Sequence, residues 1–283
     1  MRYLILTIMA LLPLGGIKAQ TTGQVRDSVN ITTWLDEARR LPPSTCLPVH
    51  FARKFLGVPY VAHTLEVNDR ERLVVNTRQL DCTTLVENVM ALTLCARNGR
   101  YAYRDFLHYI YIIRYRKGKN TGYTSRLHYF TEWIEDNRSL GLVSERQQPN
   151  PPFTAVQTVQ LGYMSAHPQS YKALRQHPEY LGDIAAMERR YSGRKYRYIP
   201  KASVGNTAAM RRAVKDGDII AITCRKQGLD IAHLGIAVWQ KDGLHLLNAS
   251  QLHKKVVLEP MTLGTYLSKH PSHTGIRIIE ILK

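Results

Sequence analysis

The chain from residue 216 onward constrains the fold most, because strand-like segments follow one another there with only tight turns between them. Residues 219–223, 232–239 and 244–249 are mostly apolar, and the first two segments contain β-branched side chains. Asp-Gly-Asp at 216–218 and Lys-Asp-Gly at 241–243 are typical turn sequences. Short turns join antiparallel neighbours, so this part of the sequence predicts an antiparallel sheet.

The earlier part of the chain has helical periodicity instead. Before residue 140 we predict helices at 31–41, 47–55, 82–96, 103–115 and 126–134. We also predict a flexible stretch at 20–30, a turn at 57–61, a strand at 72–76 and a last strand at 276–282. Helices first and hairpin strands later indicate an α+β fold.

One cysteine, Cys82, stands at the predicted start of a helix, between Asp81 and two threonines. Asp81 is a good residue type to cap that helix. The free backbone N–H groups and the positive dipole end of a helix N-terminus favour a thiolate, so Cys82 is a candidate nucleophile if a histidine lies beside it. The alternative is a buried cysteine that only packs.

A base for that thiol is available on the predicted strand 232–239. His233 begins this strand, although a histidine at a strand end is more often structural. A turn centred near residues 241–242 places residue 250 opposite His233 and Asn248 on the same face, one step along. Asn248 is therefore predicted to orient the imidazole, with His245 as the alternative if a bulge reverses its side.

The N-terminus predicts export. Arg2 precedes a short apolar run at 3–14, and Ala19 offers a cleavage point before Gln20. We therefore interpret residues 1–19 as a signal peptide and 20–283 as a single domain, with 136–211 as an insertion that shapes the substrate site. An uncleaved anchor is the alternative. The mature protein is predicted to be periplasmic or secreted, with no membrane-spanning segment.

Charge and cysteine content narrow the class of partner. The chain carries a formal charge of +17, which favours anionic partners such as an anionic wall polymer. No nucleic-acid-binding motif is present and export argues against that partner, so we expect no nucleic-acid partner.

The four cysteines allow at most one disulfide if Cys82 is a nucleophile, and Cys95 is expected in the core. A monomer is the default expectation, since no pattern determines the oligomeric state.

Five short motifs occur in an order that resembles the NlpC-type, papain-like cell-wall cysteine hydrolases. They are Leu56-Gly57-Val58-Pro59-Tyr60, Asp81-Cys82-Thr83, Asp216-Gly217-Asp218-Ile219, His233-Leu234-Gly235-Ile236 and Asn248-Ala249-Ser250. The longer words Pro59-Tyr60-Val61-Ala62-His63-Thr64-Leu65-Glu66 and Ser125-Arg126-Leu127-His128-Tyr129-Phe130 are more similar to the amidase-like subfamily, long treated as a domain of unknown function. The resemblance extends over most of the chain after residue 19.

This resemblance implies a papain-like core with Cys82, His233 and Asn248 as a catalytic triad and Tyr60 beside the nucleophile. It also implies peptidoglycan fragments (muropeptides) as substrate and hydrolysis of the amide between N-acetylmuramic acid and L-alanine. Thr83 and Thr84 stand where familiar members have Ser-Gly, and Asn248 where many have histidine. These departures leave open an endopeptidase that cuts within the stem peptide.

The segment 126–134 supplies candidates for substrate binding. Arg126, His128, Tyr129 and Trp133 suit carboxylates and sugar rings, by charged hydrogen bonds and by stacking. Core packing of Tyr129 and Trp133 is equally compatible with the pattern. We expect no cofactor and no metal, since a zinc site from Cys224 and His233 would lack any ligand-pair spacing. A non-catalytic wall-binding protein is the alternative from another class.

Overall fold

A computed structural model describes residues 22–282. In this range five helices precede the first strand of the sheet, and five more lie between later strands. The helices are α1 (Thr22–Ala38), α2 (Leu47–Lys54), α3 (Cys82–Arg97), α4 (Tyr103–Arg114), α5 (Phe130–Ser139), α6 (Tyr163–Ala166), α7 (Lys172–Gln176), α8 (Leu181–Tyr191), α9 (Ala208–Ala213) and α10 (Leu263–Ser268). Short 3₁₀ turns lie at Arg116–Gly118, Tyr123–Ser125, Pro168–Ser170, Pro178–Tyr180 and Lys201–Ser203.

Eight strands form one antiparallel sheet in the described part of the chain. They are β1 (Val143–Glu145), β2 (Ala155–Thr158), β3 (Lys195–Pro200), β4 (Ile219–Cys224), β5 (Ile231–Trp239), β6 (Leu244–Ser250), β7 (Lys255–Leu258) and β8 (His273–Ile281). Their order is β2-β3-β8-β4-β5-β6-β7, and β1 pairs with the same edge of β8 as β3. The predicted α+β class with an antiparallel sheet is confirmed.

Helix α3 lies at the centre of the helical layer. All of its residues from Thr84 to Cys95 are buried, and it packs against α1, α2 and α4 as well as against β5 and β6. A helix that is apolar nearly all round is expected only in such a fully covered position. The prediction that Cys95 belongs to the core is confirmed, because its side chain is fully buried.

The sheet is covered on both faces. One face packs against α1 to α5 through Ile236 and Leu247, and the other packs against α9 and α10 through Ala237 and Leu246. Burial of both faces explains why the strand sequences are almost continuously apolar rather than alternating. Among residues 22–282 no helix combines the length and the apolar character that crossing a bilayer requires.

Three local predictions were wrong. Residues 22–30 belong to α1, because buried Asp27 accepts hydrogen bonds from the Thr77 N–H and hydroxyl and so fixes the helix start. Residues 72–76 form no strand, since the Val74 carbonyl accepts from Arg114 rather than from a neighbouring strand. Residues 126–129 are extended, and α5 begins at Phe130.

The segment 136–211 is joined to the sheet at two points. Its strands β1 and β3 both pair with β8, while α6, α7 and α8 pack on Tyr123 and Tyr129 in a separate apolar cluster. The segment therefore contributes both to the central sheet and to a wall beside the candidate site. The predicted signal peptide, residues 1–19, lies outside the described residues.

Candidate active site

Cys82 is the first residue of α3, and its position is set by a capping box. The Asp81 side chain accepts from the Thr84 N–H at 2.8 Å, and the Asp81 N–H donates to the Thr84 hydroxyl at 2.9 Å. Each bond satisfies a backbone or side-chain group that the helix start leaves free. The predicted cap is confirmed, and Cys82 is half-buried at the helix end.

His233 and Asn248 meet across the hairpin of β5 and β6. The strands pair Ile236 with Leu247 and Trp239 with Leu244, which is the predicted register. The His233 Nε2 lies 2.9 Å from the Asn248 Oδ1, and the Asn248 amide also donates to the Leu246 carbonyl at 3.2 Å. Fully buried and held at both ends, the Asn248 amide fixes the orientation of the imidazole.

The alternative partner, His245, is engaged elsewhere. Its Nδ1 lies 2.8 Å from the Glu259 carbonyl oxygen, and its Nε2 lies 3.0 Å from the Asp242 carboxylate. Both ring nitrogens are therefore occupied, and His245 does not orient His233.

Cys82 and His233 line the same cavity, which has a volume of about 280 Å³. The cavity lies where the start of α3 meets the start of β5. Its wall is completed by the loop at 62–66, by the segment 126–130 and by Asp230. The Cys82 thiol and the His233 imidazole therefore share one cavity, and Asn248 holds the imidazole through its Nε2.

The electrostatics of the cavity favour the uncharged form of both groups. Burial raises the pKa of the Cys82 thiol to about 12, although hydrogen bonds from the Leu234 N–H and from Thr83 oppose this rise. Burial also lowers the pKa of His233, and the hydrogen bond that His233 donates to Asn248 only partly offsets this lowering. A thiolate–imidazolium pair is thus disfavoured at rest, because burial penalises both charges.

Tyr60 lies close to Cys82. Its backbone N–H donates to the Lys254 carbonyl at 2.9 Å, and it forms a parallel bridge with Leu80, just before Asp81. Burial, followed by the charges of Cys82 and Asp81, raises the pKa of Tyr60 to about 12. The phenol therefore stays protonated and can donate a hydrogen bond.

Arg126 and His128 line the cavity but are largely committed to the protein. The Arg126 guanidinium is buried, lies 3.5 Å from Glu66 and 3.7 Å from Glu71, and covers the Tyr123 ring. His128 contacts the Tyr123 carbonyl at 2.9 Å, and burial lowers its pKa to about 3. Arg126 brings a partly neutralised cation to the wall, and His128 brings a neutral ring.

Tyr129 and Trp133 are core residues rather than an open binding surface. The Tyr129 hydroxyl donates to Glu188 at 2.7 Å and accepts from the Met164 N–H at 2.9 Å. The Trp133 ring is fully buried and stacks on Phe130 with ring centroids 4.7 Å apart. Because α5 starts only at Phe130, its apolar face turns into the core, and Tyr129 and Trp133 line the cavity from that side.

Sequence reasoning missed Asp230 and the loop before Glu66. Buried Asp230 accepts from the Thr131 N–H at 2.6 Å, which ties the start of β5 to the start of α5. His63 lines the cavity with a φ of 63°, a backbone conformation that non-glycine residues seldom adopt and that often occurs at functional sites. The sequence signal for Asp230 was its position, since it is an acidic residue only three positions before His233.

No cluster of three or more histidine, cysteine or acidic side chains in the described range 22–282 has the arrangement to hold a metal ion. Cys224 lies near the Leu229 carbonyl, with its sulfur 4.0 Å from that oxygen. All four cysteines are free thiols.

A family model described as AmiA-like, N-acetylmuramoyl-L-alanine amidase-like, matches residues 50–276. The match includes Cys82, His233 and Asn248. The chain belongs to this amidase-like family. A comparison with curated proteins gives no match.

Solved structures of similar proteins agree with this membership. An N-acetylmuramoyl-L-alanine amidase from Bacteroides uniformis is 40% identical, with a TM-score of 0.78 over 83% of this chain and 99% of that one. A Bacteroides fragilis protein provisionally called a xylanase is also 40% identical, with a TM-score of 0.76 over 82% of this chain and 99% of that one. A Legionella pneumophila protein of the family DUF1460 is 20% identical, with a TM-score of 0.72 over 92% and 96% of the two chains, and it shares the fold.

Proposed function

We propose that the chain is a cysteine amidase with a papain-like core that hydrolyses the bond between N-acetylmuramic acid and L-alanine in muropeptides. The observation that carries the proposal is the shared cavity of Cys82 and His233, with His233 held by Asn248 at 2.9 Å. Family membership supplies the reaction class, and a B. uniformis relative carries the name of this activity.

The first step is proton transfer from the thiol to the imidazole. The Asn248 Oδ1 can only accept, so the His233 Nε2 carries the hydrogen and Nδ1 keeps a free lone pair. Because burial favours the neutral thiol and the neutral imidazole, the proton moves as the sulfur attacks the lactyl carbonyl carbon. His233 therefore acts as a general base rather than as half of a permanent ion pair.

The attack produces an oxyanion next to the start of α3. The Cys82 backbone N–H at the helix start and the protonated Tyr60 hydroxyl would donate to it, and one such donor is typically worth about 3 kcal/mol. The imidazolium then returns its proton to the nitrogen of L-alanine as the C–N bond breaks. Water hydrolyses the thioester, with His233 again accepting a proton.

A glycoside hydrolase mechanism is poorly supported, although one relative is provisionally called a xylanase. That chemistry needs two carboxyl groups free to act on the substrate. In this cavity Asp81 caps α3, Asp230 binds the Thr131 N–H, and Glu66 is paired with Arg126.

Export and charge fit the proposed substrate. Peptidoglycan lies outside the cytoplasmic membrane, and the signal-like sequence at 1–19 would deliver the protein there. The formal charge of +17, or +15 without Arg2 and Lys18 of that segment, favours encounter with an anionic wall. We therefore propose a periplasmic or secreted enzyme that acts on muropeptides.

Digestion of defined muropeptides, followed by mass spectrometry, tests the reaction. The proposed amidase releases free glycan and an intact peptide that begins with L-alanine. Release of a shortened stem peptide instead would establish the endopeptidase, and no turnover by the folded protein would favour the wall-binding protein.

A cysteine series tests the nucleophile. Cys82→Ala should lower kcat at least about 10³-fold and leave the melting temperature close to that of the wild type, since removing a nucleophile abolishes the covalent route. Cys46→Ala is the matched control, because Cys46 is also a half-buried free thiol but lies outside the cavity. Full activity in purified Cys82→Ala contradicts the proposal.

A further inference from the structure

Glu259 is a buried carboxylate that the mechanism above does not use. Its side chain is fully buried, immediately after β7. The Glu259 N–H donates to the Leu246 carbonyl at 2.9 Å, which continues the register of β6 and β7 by one residue. Cross-strand partners point to the same face, so the Glu259 side chain shares the face of Leu246 and Asn248.

Only one of the two Glu259 carboxylate oxygens has a hydrogen-bond partner among the described residues. One oxygen lies 3.2 Å from the His253 Nε2, whereas the other has no hydrogen-bond partner within residues 22–282. A buried carboxylate oxygen without a donor is costly, because its desolvation is not recovered. Such a group is retained more readily where its charge serves a neighbouring group.

The neighbouring group is the pair formed by Asn248 and His233. The Leu246 carbonyl accepts from both the Glu259 N–H and the Asn248 side chain, so Glu259 is one hydrogen-bonded step behind Asn248. The negative charge of Glu259 also raises the pKa of His233, and its influence is second to that of the hydrogen bond that His233 donates to Asn248. Burial outweighs both influences and lowers the pKa of His233 overall.

We propose that Glu259 is a positioning residue whose negative charge, behind the Asn248–His233 pair, stabilises the imidazolium that forms when Cys82 gives up its proton. The cavity disfavours charge, so the cation needs a counter-charge from the protein interior. Glu259 supplies it without touching the substrate. The inference rests on the proposed function for its catalytic consequence, but not for its electrostatic one.

Other titratable groups surround His233, and they set the background for any test. The groups that interact with His233 or Glu259 are Asp81 before α3, His253 after β6, Tyr266 in α10, His270 just after it, and His273 in β8. His270 opposes Glu259, since its positive charge lowers the pKa of His233, whereas Asp81 raises it. A comparison of variants must therefore leave these groups unchanged.

The test is a pH titration of His233 by NMR in the full chain, with the His233 signal assigned by its loss in His233→Asn. Glu259→Gln keeps the size of the side chain and removes the charge, so the imidazole should titrate at a lower pH than in the wild type. Glu280→Gln is the matched control, because this exposed carboxylate lies far along β8 and pairs with Arg146. Its titration should match the wild type.

Glu259→Asp keeps the negative charge but has a side chain shorter by one methylene group. The midpoint of the His233 titration in this variant should therefore lie between those of the wild type and Glu259→Gln. This variant also serves if Glu259→Gln does not fold. A wild-type midpoint in a folded Glu259 variant overturns the proposal.

The rate of muropeptide hydrolysis provides a second test of the role of Glu259. Glu259→Gln should lower kcat about tenfold with little change in KM, a smaller loss than removal of the base itself. Because the titration needs no substrate, it decides the role of Glu259 even if the chain cleaves no muropeptide. Equal losses of activity in the Gln and Asp variants, without a change in titration, would indicate a purely structural residue.

Discussion

Two walls of one cavity differ in how freely their side chains can act. On the proposed catalytic wall, Cys82 is held through its backbone by a helix cap, and the His233 ring is bound on one side by Asn248. On the opposite wall, the Arg126 guanidinium and the Tyr129 hydroxyl are engaged by Glu66 and Glu188. The first wall keeps reactive atoms free, whereas the second uses its polar atoms to maintain its own shape.

Removal of the amide that holds His233 should have the largest effect on the catalytic wall. Asn248→Ala is expected to lower kcat about 10²-fold, because the imidazole loses its fixed tautomer and orientation. His245→Asn is the control, since His245 was the other candidate but contacts Asp242 and the Glu259 backbone instead. Measurement of kcat for both variants tests the assignment of Asn248 as the residue that orients His233. A greater loss of kcat in His245→Asn would reverse that assignment.

The pH dependence of kcat/KM separates a neutral resting pair from an ion pair. His233 must be neutral to accept the thiol proton, and burial lowers its pKa from 6.5. Protonation therefore removes activity only below about pH 6.5, and activity persists through pH 9 because the Cys82 thiol is not required to ionise beforehand. A bell-shaped profile that falls between pH 7 and 9 would show that a preformed imidazolium is needed.

On the opposite wall, loss of Arg126 should reduce stability as well as binding. Arg126→Ala leaves Glu66 and Glu71 without their buried cation, which should cost about 2 kcal/mol of unfolding free energy. Arg138→Ala removes an exposed pair with Glu135 and should cost almost nothing. Urea unfolding measures the stability, and a raised KM in Arg126→Lys, which keeps the charge, would add a direct role in binding.

The helix cap offers the smallest effect. Thr84→Val removes the hydroxyl that accepts from the Asp81 N–H and should reduce stability by about 1 kcal/mol. Thr93→Val is the matched control in the same helix, because its hydroxyl only donates to the Val89 carbonyl. An equal loss of unfolding free energy in the two variants would show that the cap adds nothing beyond a buried hydroxyl.

The accuracy of the sequence predictions follows the same division. The cap at Asp81 and the pairing of His233 with Asn248 depend on the helical period, a turn sequence and strand alternation, and all three are local properties. Arg126–Tyr129 was mistaken for the start of a helix because nothing local shows that this segment pairs with Tyr115. Strands β1, β2, β3 and β7 were not located either, since their partners are distant in sequence or their length is short.

Strand β8 has a consequence for how the protein is made. It is the last strand of the described chain, yet it lies inside the sheet, with β4 on one side and β1 and β3 on the other. During synthesis these partners emerge from the ribosome before residues 273–281, so the sheet cannot be completed until β8 has been made. Until then the sheet of the nascent chain has an unfilled gap at its centre, which delays completion of the fold.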